Sequence, residues 1–158
     1  AAARFGAPLI LMHSLGRPGA MPHQHDYADV TAEVRASLAE SVARAEAAGV
    51  RDVAVDPGFG FGKTVEENLR LLAETDRLLA LGRPVFVGVS RKSTIGAVLG
   101  SADAPAPVGE RLFGTLGATA VAVLRGASLV RTHDVRATVE MIEGLRATWA
   151  ARREPEAA

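Results

Sequence analysis

The chain has 158 residues, 48% of them apolar, enough for one domain with a buried core. Eighteen basic side chains balance eighteen acidic ones, so no global field draws it to nucleic acid or an anionic membrane, and any anion site must be local. The absence of cysteine excludes disulfide frameworks, thiolate catalysis and cysteine-ligated zinc; no apolar run approaches the roughly 20 residues that span a bilayer, and the chain reads as cytoplasmic.

The opening Ala1-Ala2-Ala3-Arg4-Phe5-Gly6 lacks an initiator methionine and reads as the tail of a helix stopped by glycine, the expected look of a start inside a larger protein. Pro8 to His13 is a short apolar run, hence a buried strand, and a Gly/Pro/His-rich loop follows from Ser14 to Asp26. Between Tyr27 and Ala48, Val30, Val34, Leu38 and Val42 recur every fourth residue, which predicts a helix that Gly49 stops. Val53 to Asp56 is the second strand, and Glu66 to Leu81 the second helix, with Leu69, Leu72 and Leu79 able to face inward. Pro84 to Val89 is the third strand, with proline at the first position, where a missing N–H costs least. A short helix is expected over Lys92 to Leu99, a loop over Gly100 to Pro107, and a small-residue helix over Glu110 to Arg125. Ser128 to Thr132 is the fourth strand; Val135, Val139, Ile142, Leu145 and Trp149 form the stripe of a last helix, and the tail over 150–158 reads as frayed.

Four strand–helix units in strict alternation imply an α/β fold with parallel strands, apolar on both faces as a fully covered sheet requires. A doubly wound sheet and half of a (β/α)8 TIM barrel both fit. Complete barrels take roughly 250 residues, so this chain is expected to form about the last four β/α units, a half-barrel, as a single domain over residues 1–158.

In parallel sheets chemistry gathers at the C-terminal strand ends. Asp56 ends a buried strand before Pro57-Gly58, where its carboxylate either meets a ring N–H in a crevice or caps the turn. Phe59-Gly60-Phe61-Gly62 sets two aromatics between glycines, available to a flat ligand unless both rings fold back over the barrel mouth. Gly62-Lys63-Thr64 imitates the end of a phosphate-binding Walker loop, but only three residues separate Gly58 from Gly62 where that motif needs four. Ser90-Arg91-Lys92-Ser93 starts a helix, and two consecutive cations there oppose the helix dipole, which favours an anion-binding role over a solvated helix start. Arg131 and His133 alternate on one strand and share a face. They suit a pyrophosphate clamp, or else Arg131 pairs internally with Asp134 or Glu110. His13 is either a hydrogen-bonded core residue or a ligand; His23 and His25 lack a third fixed metal ligand.

Assembled, these segments resemble the C-terminal half of the dihydropteroate synthase family of folate-making organisms. Leu11-Met12-His13 with Gly16, Pro18 and Met21 resembles the family's loop after its fifth barrel strand. The run Asp56 to Thr64 with Asn68 resembles the signature after the sixth, Gly88 to Ser93 that after the seventh, and Arg131-Thr132-His133-Asp134 that after the eighth. Glu110 to Leu116 is similar to a family helix, with Thr115 where serine is usual, and the match runs over residues 8–148.

The resemblance implies condensation of p-aminobenzoate with the pyrophosphate ester of 6-hydroxymethyl-7,8-dihydropterin to give 7,8-dihydropteroate and pyrophosphate, usually with magnesium (Mg2+). It implies Asp56, Lys92, Arg131 and His133 as the catalytic set. Met12, Asp56, Phe59, Gly60 and Lys92 would line the pterin slot; Phe61, Lys92 and Ser93 would position p-aminobenzoate, and Arg131 and His133 the departing pyrophosphate. Sulfonamides would compete at the p-aminobenzoate position, and a homodimer is expected. The family's metal ligand and mobile early loops would belong to a preceding half, so this chain alone is expected to be inactive. A pterin-dependent methyltransferase domain shares the barrel but has no pyrophosphate to hold; a catalytically silent pterin-binding paralogue would carry the same motifs.

Overall fold

The computed structural model describes residues 1–15 and 27–151. Its centre is a four-stranded parallel sheet whose spatial order follows chain order: β1 (Leu9–Met12), β2 (Val53–Asp56), β3 (Val85–Val87) and β4 (Ala127–Val130). Leu9 pairs with Val53 and Met12 with Asp56, so β1 and β2 end level; β3 pairs with β4 across an irregularity at Val85 and Phe86. The helices are α1 (Ala2–Phe5), α2 (Val30–Ala47), α3 (Val65–Ala73), α4 (Ser93–Leu99), α5 (Leu112–Leu124) and α6 (Val135–Ala150), with 3-10 segments at Thr75–Leu81 and Val108–Glu110. The strand order has no reversal of the kind that marks a doubly wound sheet. Among the described residues no helix is long and apolar enough to cross a membrane.

Side chains alternate along each strand and give the sheet two unlike faces. Val53, Val55, Val85 and Val87 join Val34, Leu38 and Leu71 of α2 and α3 in one core cluster, and burying each such side chain contributes about 1.5–3 kcal/mol. The other face is open, with Ile10 51% and Leu129 43% exposed. The described helices cover one face of the sheet.

α2 forms as its sequence dictates. The Asp29 carboxylate accepts from the Ala32 N–H at 3.0 Å, and the every-fourth-residue stripe Val30, Val34, Leu38 and Val42 is buried. Two other helical expectations are corrected. The single helix over 66–81 breaks after Ala73, where the Thr75 hydroxyl donates to the carbonyls of Leu71 and Leu72 at 3.1 and 3.0 Å, and the chain continues as 3-10. In that stretch, with about three residues per turn instead of 3.6, Leu78 is the inward position and Leu79 faces solvent; within α3, Leu71 and Leu72 are buried and Leu69 faces solvent. In α6 part of the expected stripe turns outward: Val135, Val139 and Trp149 are exposed, Ile142 and Leu145 are half-buried, and Thr138 is buried. The Thr138 hydroxyl bonds to Thr132 Oγ1 at 3.0 Å and to the Asp134 carbonyl at 2.9 Å, which seats the helix on that side. The tail after residue 151, read as frayed, lies outside the described residues.

Candidate active site

The loop after β2 is closed by its own polar atoms. Asp56 is buried at the strand end and its Oδ1 accepts from the Gly58 N–H at 2.8 Å. Gly58 has φ 71, and a Cβ there would lie 1.8 Å from the His13 carbonyl oxygen, so only glycine fits. Asn68, 1% exposed, reaches back from α3: its Oδ1 accepts from Gly60 N–H at 2.7 Å, and its Nδ2 donates to the Lys63 and Thr64 carbonyls and to Thr94 Oγ1 at 3.1, 2.8 and 3.1 Å. Lys63 crosses the loop, its Nζ donating to the carbonyls of Gly58 at 3.0 Å and Phe61 at 3.2 Å.

Lys92 enters from the loop after β3. Its Nζ donates to the Phe59 carbonyl and lies 4.5 Å from the centre of the Phe61 ring and 5.7 Å from that of Phe59. A Cβ on Gly60 would meet the Lys92 stem at 2.9 Å, so glycine at this position lets the stem lie down. Burial pushes the Asp56 carboxyl above its ordinary range, partly opposed by the Gly58 N–H and by the charges of Lys92, Lys63 and Arg131. Burial likewise holds the Lys63 amine down at about 8 and lowers that of Lys92, with Asp56 pulling both back up.

At the far side of the rim the Arg131 N–H donates to the Val87 carbonyl at 2.9 Å, which fixes the backbone while the side chain stays exposed. Among the described residues its guanidinium has no carboxylate partner, because Asp134 is taken by Arg91 at 2.6 and 3.0 Å. The internal pair of Arg131 with Asp134 is thus overturned. The Ser90 hydroxyl lies 3.2 Å from the His133 N–H and 2.9 Å from its Nδ1. A hydroxyl that accepts from the backbone N–H can donate to Nδ1, and in that tautomer Nε2 carries the ring proton.

Of the expected residues, Met12, Phe61, Lys92, Arg131 and His133 line one cleft of about 270 Å³ together with Phe86, whereas Asp56, Gly60 and Ser93 are not among its lining residues. Phe59 departs from expectation: at 1% exposure its ring belongs to the core, so of the two loop aromatics only Phe61 faces the cleft. Ser93 is exposed at the start of α4. His13 is buried with its ring 6.2 Å from that of Tyr27, so it reads as a core residue. Gly16, Pro18, Met21, His23 and His25 lie outside the described residues. Sequence reasoning misses the part played by two residues. Lys63 enters it through a failed phosphate-loop match and, like Asn68, through a signature that gives it no role, yet they brace the loop that aims Asp56; a polar residue one helical turn inside a capping box is the available signal.

Residues 1–133 match the family of pterin binding enzymes. The chain belongs to that family. Among its relatives, the dihydropteroate synthase of Escherichia coli K12 is 41% identical over 154 residues, 96% of this chain and 53% of that protein. The solved dihydropteroate synthase of Thermus thermophilus in complex with 4-aminobenzoate superimposes with a TM-score of 0.86 at 44% identity, covering 94% of this chain and 59% of that one. The Xanthomonas albilineans enzyme in complex with 7,8-dihydropteroate gives 0.84 at 40% identity over 96% of this chain and 54% of that one. This pterin-binding chain therefore spans about half the length of the curated relatives it matches.

Proposed function

We propose that the chain is half of a (β/α)8 TIM barrel, one pterin-binding domain over residues 1–158, in a cytoplasmic dihydropteroate synthase. The complete protein would join 6-hydroxymethyl-7,8-dihydropterin pyrophosphate to p-aminobenzoate, yielding 7,8-dihydropteroate and pyrophosphate. The observation that carries this reading is the convergence of Asp56, Lys92, Arg131 and His133 at one rim of a parallel sheet, in a pterin-binding family. The open face with Ile10 and Leu129 supports the half-barrel, as the layer that four further units would cover.

The Asp56 carboxylate accepts from pterin N–H groups, and Lys92 meets the ring carbonyl. Met12 borders this slot; Phe59 and Gly60 shape it through the Lys92 stem they support. Phe61 and Lys92 flank p-aminobenzoate, whose carboxylate faces Ser93, and sulfonamides compete there. The amine nitrogen attacks the exocyclic methylene carbon: the C–N bond forms, the C–O bond breaks, pyrophosphate leaves with the electron pair, and the surplus amine proton passes to solvent. Ionised Asp56 stabilises positive charge growing on the pterin, and Arg131 with the His133 Nε2–H holds the leaving pyrophosphate.

Magnesium is the proposed accompanying cation. Among the described residues no three His, Asp or Glu side chains are grouped to hold it, so the described residues do not fit a metal site and no step runs through one. A homodimer is also proposed, supported by the exposed Val135 and Val139 of α6.

The test is pyrophosphate release by the full-length protein supplied with the pterin pyrophosphate and p-aminobenzoate. Turnover that is inhibited by a sulfonamide, lost in Lys92→Ala and absent from the isolated chain is expected. Binding without turnover would identify a silent paralogue, and no pterin binding would sink the assignment.

A further inference from the structure

We propose that Arg91 is a positioning residue that acts through Asp134: by taking that carboxylate, it keeps Arg131 open to an anion. The inference rests on the reading of this rim as a pyrophosphate-handling cleft.

In the sequence Arg91 stands beside Lys92 as a second candidate anion ligand. In the structure its guanidinium turns away and grips Asp134 with two hydrogen bonds, Nη2 to Oδ1 at 2.6 Å and Nε to Oδ2 at 3.0 Å. A fork-to-carboxylate pair of this kind is the strongest geometry available to arginine. Arg91 is also the only non-glycine residue with positive φ among the described residues, at 59. A bulky side chain crowds its own backbone in that conformation, so the surroundings must impose it. They do so from α5: the Arg91 N–H donates to Thr115 Oγ1 at 3.1 Å, and its carbonyl accepts from Arg111 Nη1 at 2.9 Å. These backbone anchors serve to aim one guanidinium at one carboxylate.

Asp134 lies three residues beyond Arg131 and next to His133, the two groups proposed to hold pyrophosphate. A carboxylate left free there would neutralise one of them and repel the anion. The Arg91 guanidinium holds the Asp134 carboxyl below the usual carboxylate range, so the charge is present and must be occupied. Occupied by Arg91, it leaves the Arg131 guanidinium without a carboxylate partner among the described residues. The same pair lies beside the Ser90–His133 contact, so two consecutive bridges fasten the loop after β3 to the segment after β4.

The experiment is calorimetric titration of the full-length protein with inorganic pyrophosphate, read together with thermal stability. Arg91→Met should weaken pyrophosphate binding about tenfold, because Asp134 is released toward Arg131. Asp134→Asn should bind at least as tightly as wild type although it also lacks the ion pair, and Arg91→Met/Asp134→Asn should recover the lost affinity. A purely structural ion pair gives no such rescue, since both single variants would lose the same contact. Unchanged affinity in Arg91→Met, or weakened binding in Asp134→Asn, would overturn the role of Arg91 while leaving the function intact. Wild-type protein that binds no pyrophosphate would overturn both. If Arg91→Met does not fold, Asp134→Asn alone still decides.

Discussion

The loop after β2 satisfies its polar atoms internally, whereas the segment after β4 leaves a cation open. Asn68, Lys63 and the Gly58 N–H together occupy the polar groups that steer Asp56. Arg131 has its backbone fixed on β3, and among the described residues its guanidinium makes no ion pair with a carboxylate. A neutral planar ring is best served by a rigid, preformed slot, because its few hydrogen bonds must not be lost to rearrangement. A multiply charged leaving group is best served by exposed, unneutralised charge, because Coulomb attraction tolerates imprecise placement. The two halves of the rim match the two halves of the proposed substrate in this respect.

The comparison breaks most visibly on the open side. Arg131→Ala should lower kcat/KM for the pterin pyrophosphate by about 10²–10³-fold, while stability changes by about 0.5 kcal/mol or less, since an exposed side chain without an ion pair is removed. Steady-state kinetics and chemical denaturation of the same preparation check both halves of that statement. A large stability loss would mean that the guanidinium is a structural group.

On the closed side the order reverses, and stability moves first. Gly58→Ala forces a Cβ into a left-handed residue and against the His13 carbonyl, so about 3 kcal/mol or more should be lost. Asn68→Asp keeps an acceptor for Gly60 but removes the donors to the Lys63 and Thr64 carbonyls and to Thr94, and should cost about 2–3 kcal/mol. Denaturant midpoints that stay at the wild-type value for both variants would show that the loop is not a preformed element.

The same contrast governs what sequence alone can reveal. Strands and their parallel sense are legible because short β-rich runs alternate with helical stripes, and Val53–Asp56 is bounded to the residue. The outward turn of Val135, Val139 and Trp149 is not, because periodicity identifies a helix and its apolar stripe without saying whether a partner lies against it. Charged rim residues stand out as anomalies in apolar surroundings. Phe59 misleads because a ring between glycines looks mobile, and only the packing of the core cluster shows that it belongs there. Lys63 and Asn68 escape because their partners are mostly backbone atoms of the same loop, and backbone atoms leave no mark in a sequence.

The smallest effect is a pH dependence inside the closed loop. Burial pushes Asp56 and Lys63 toward neutrality from opposite sides, the carboxyl upward and the amine down to about 8. A lysine whose folded value lies below its ordinary 10.5 contributes stability that is fully present above 10.5 and is lost as pH falls through about 8. Asp56, raised above 3.8, has the opposite sign: its contribution is present below 3.8 and lost as pH rises through the raised value. The stability of the wild-type protein relative to Lys63→Met should therefore rise between pH 8 and 10.5, by about 1 kcal/mol in all once partial solvent screening is allowed for. Denaturation curves at closely spaced pH values would resolve it. A flat difference across that interval would mean that Lys63 is solvated like an ordinary lysine, and the loop after β2 would then be closed by Asn68 alone.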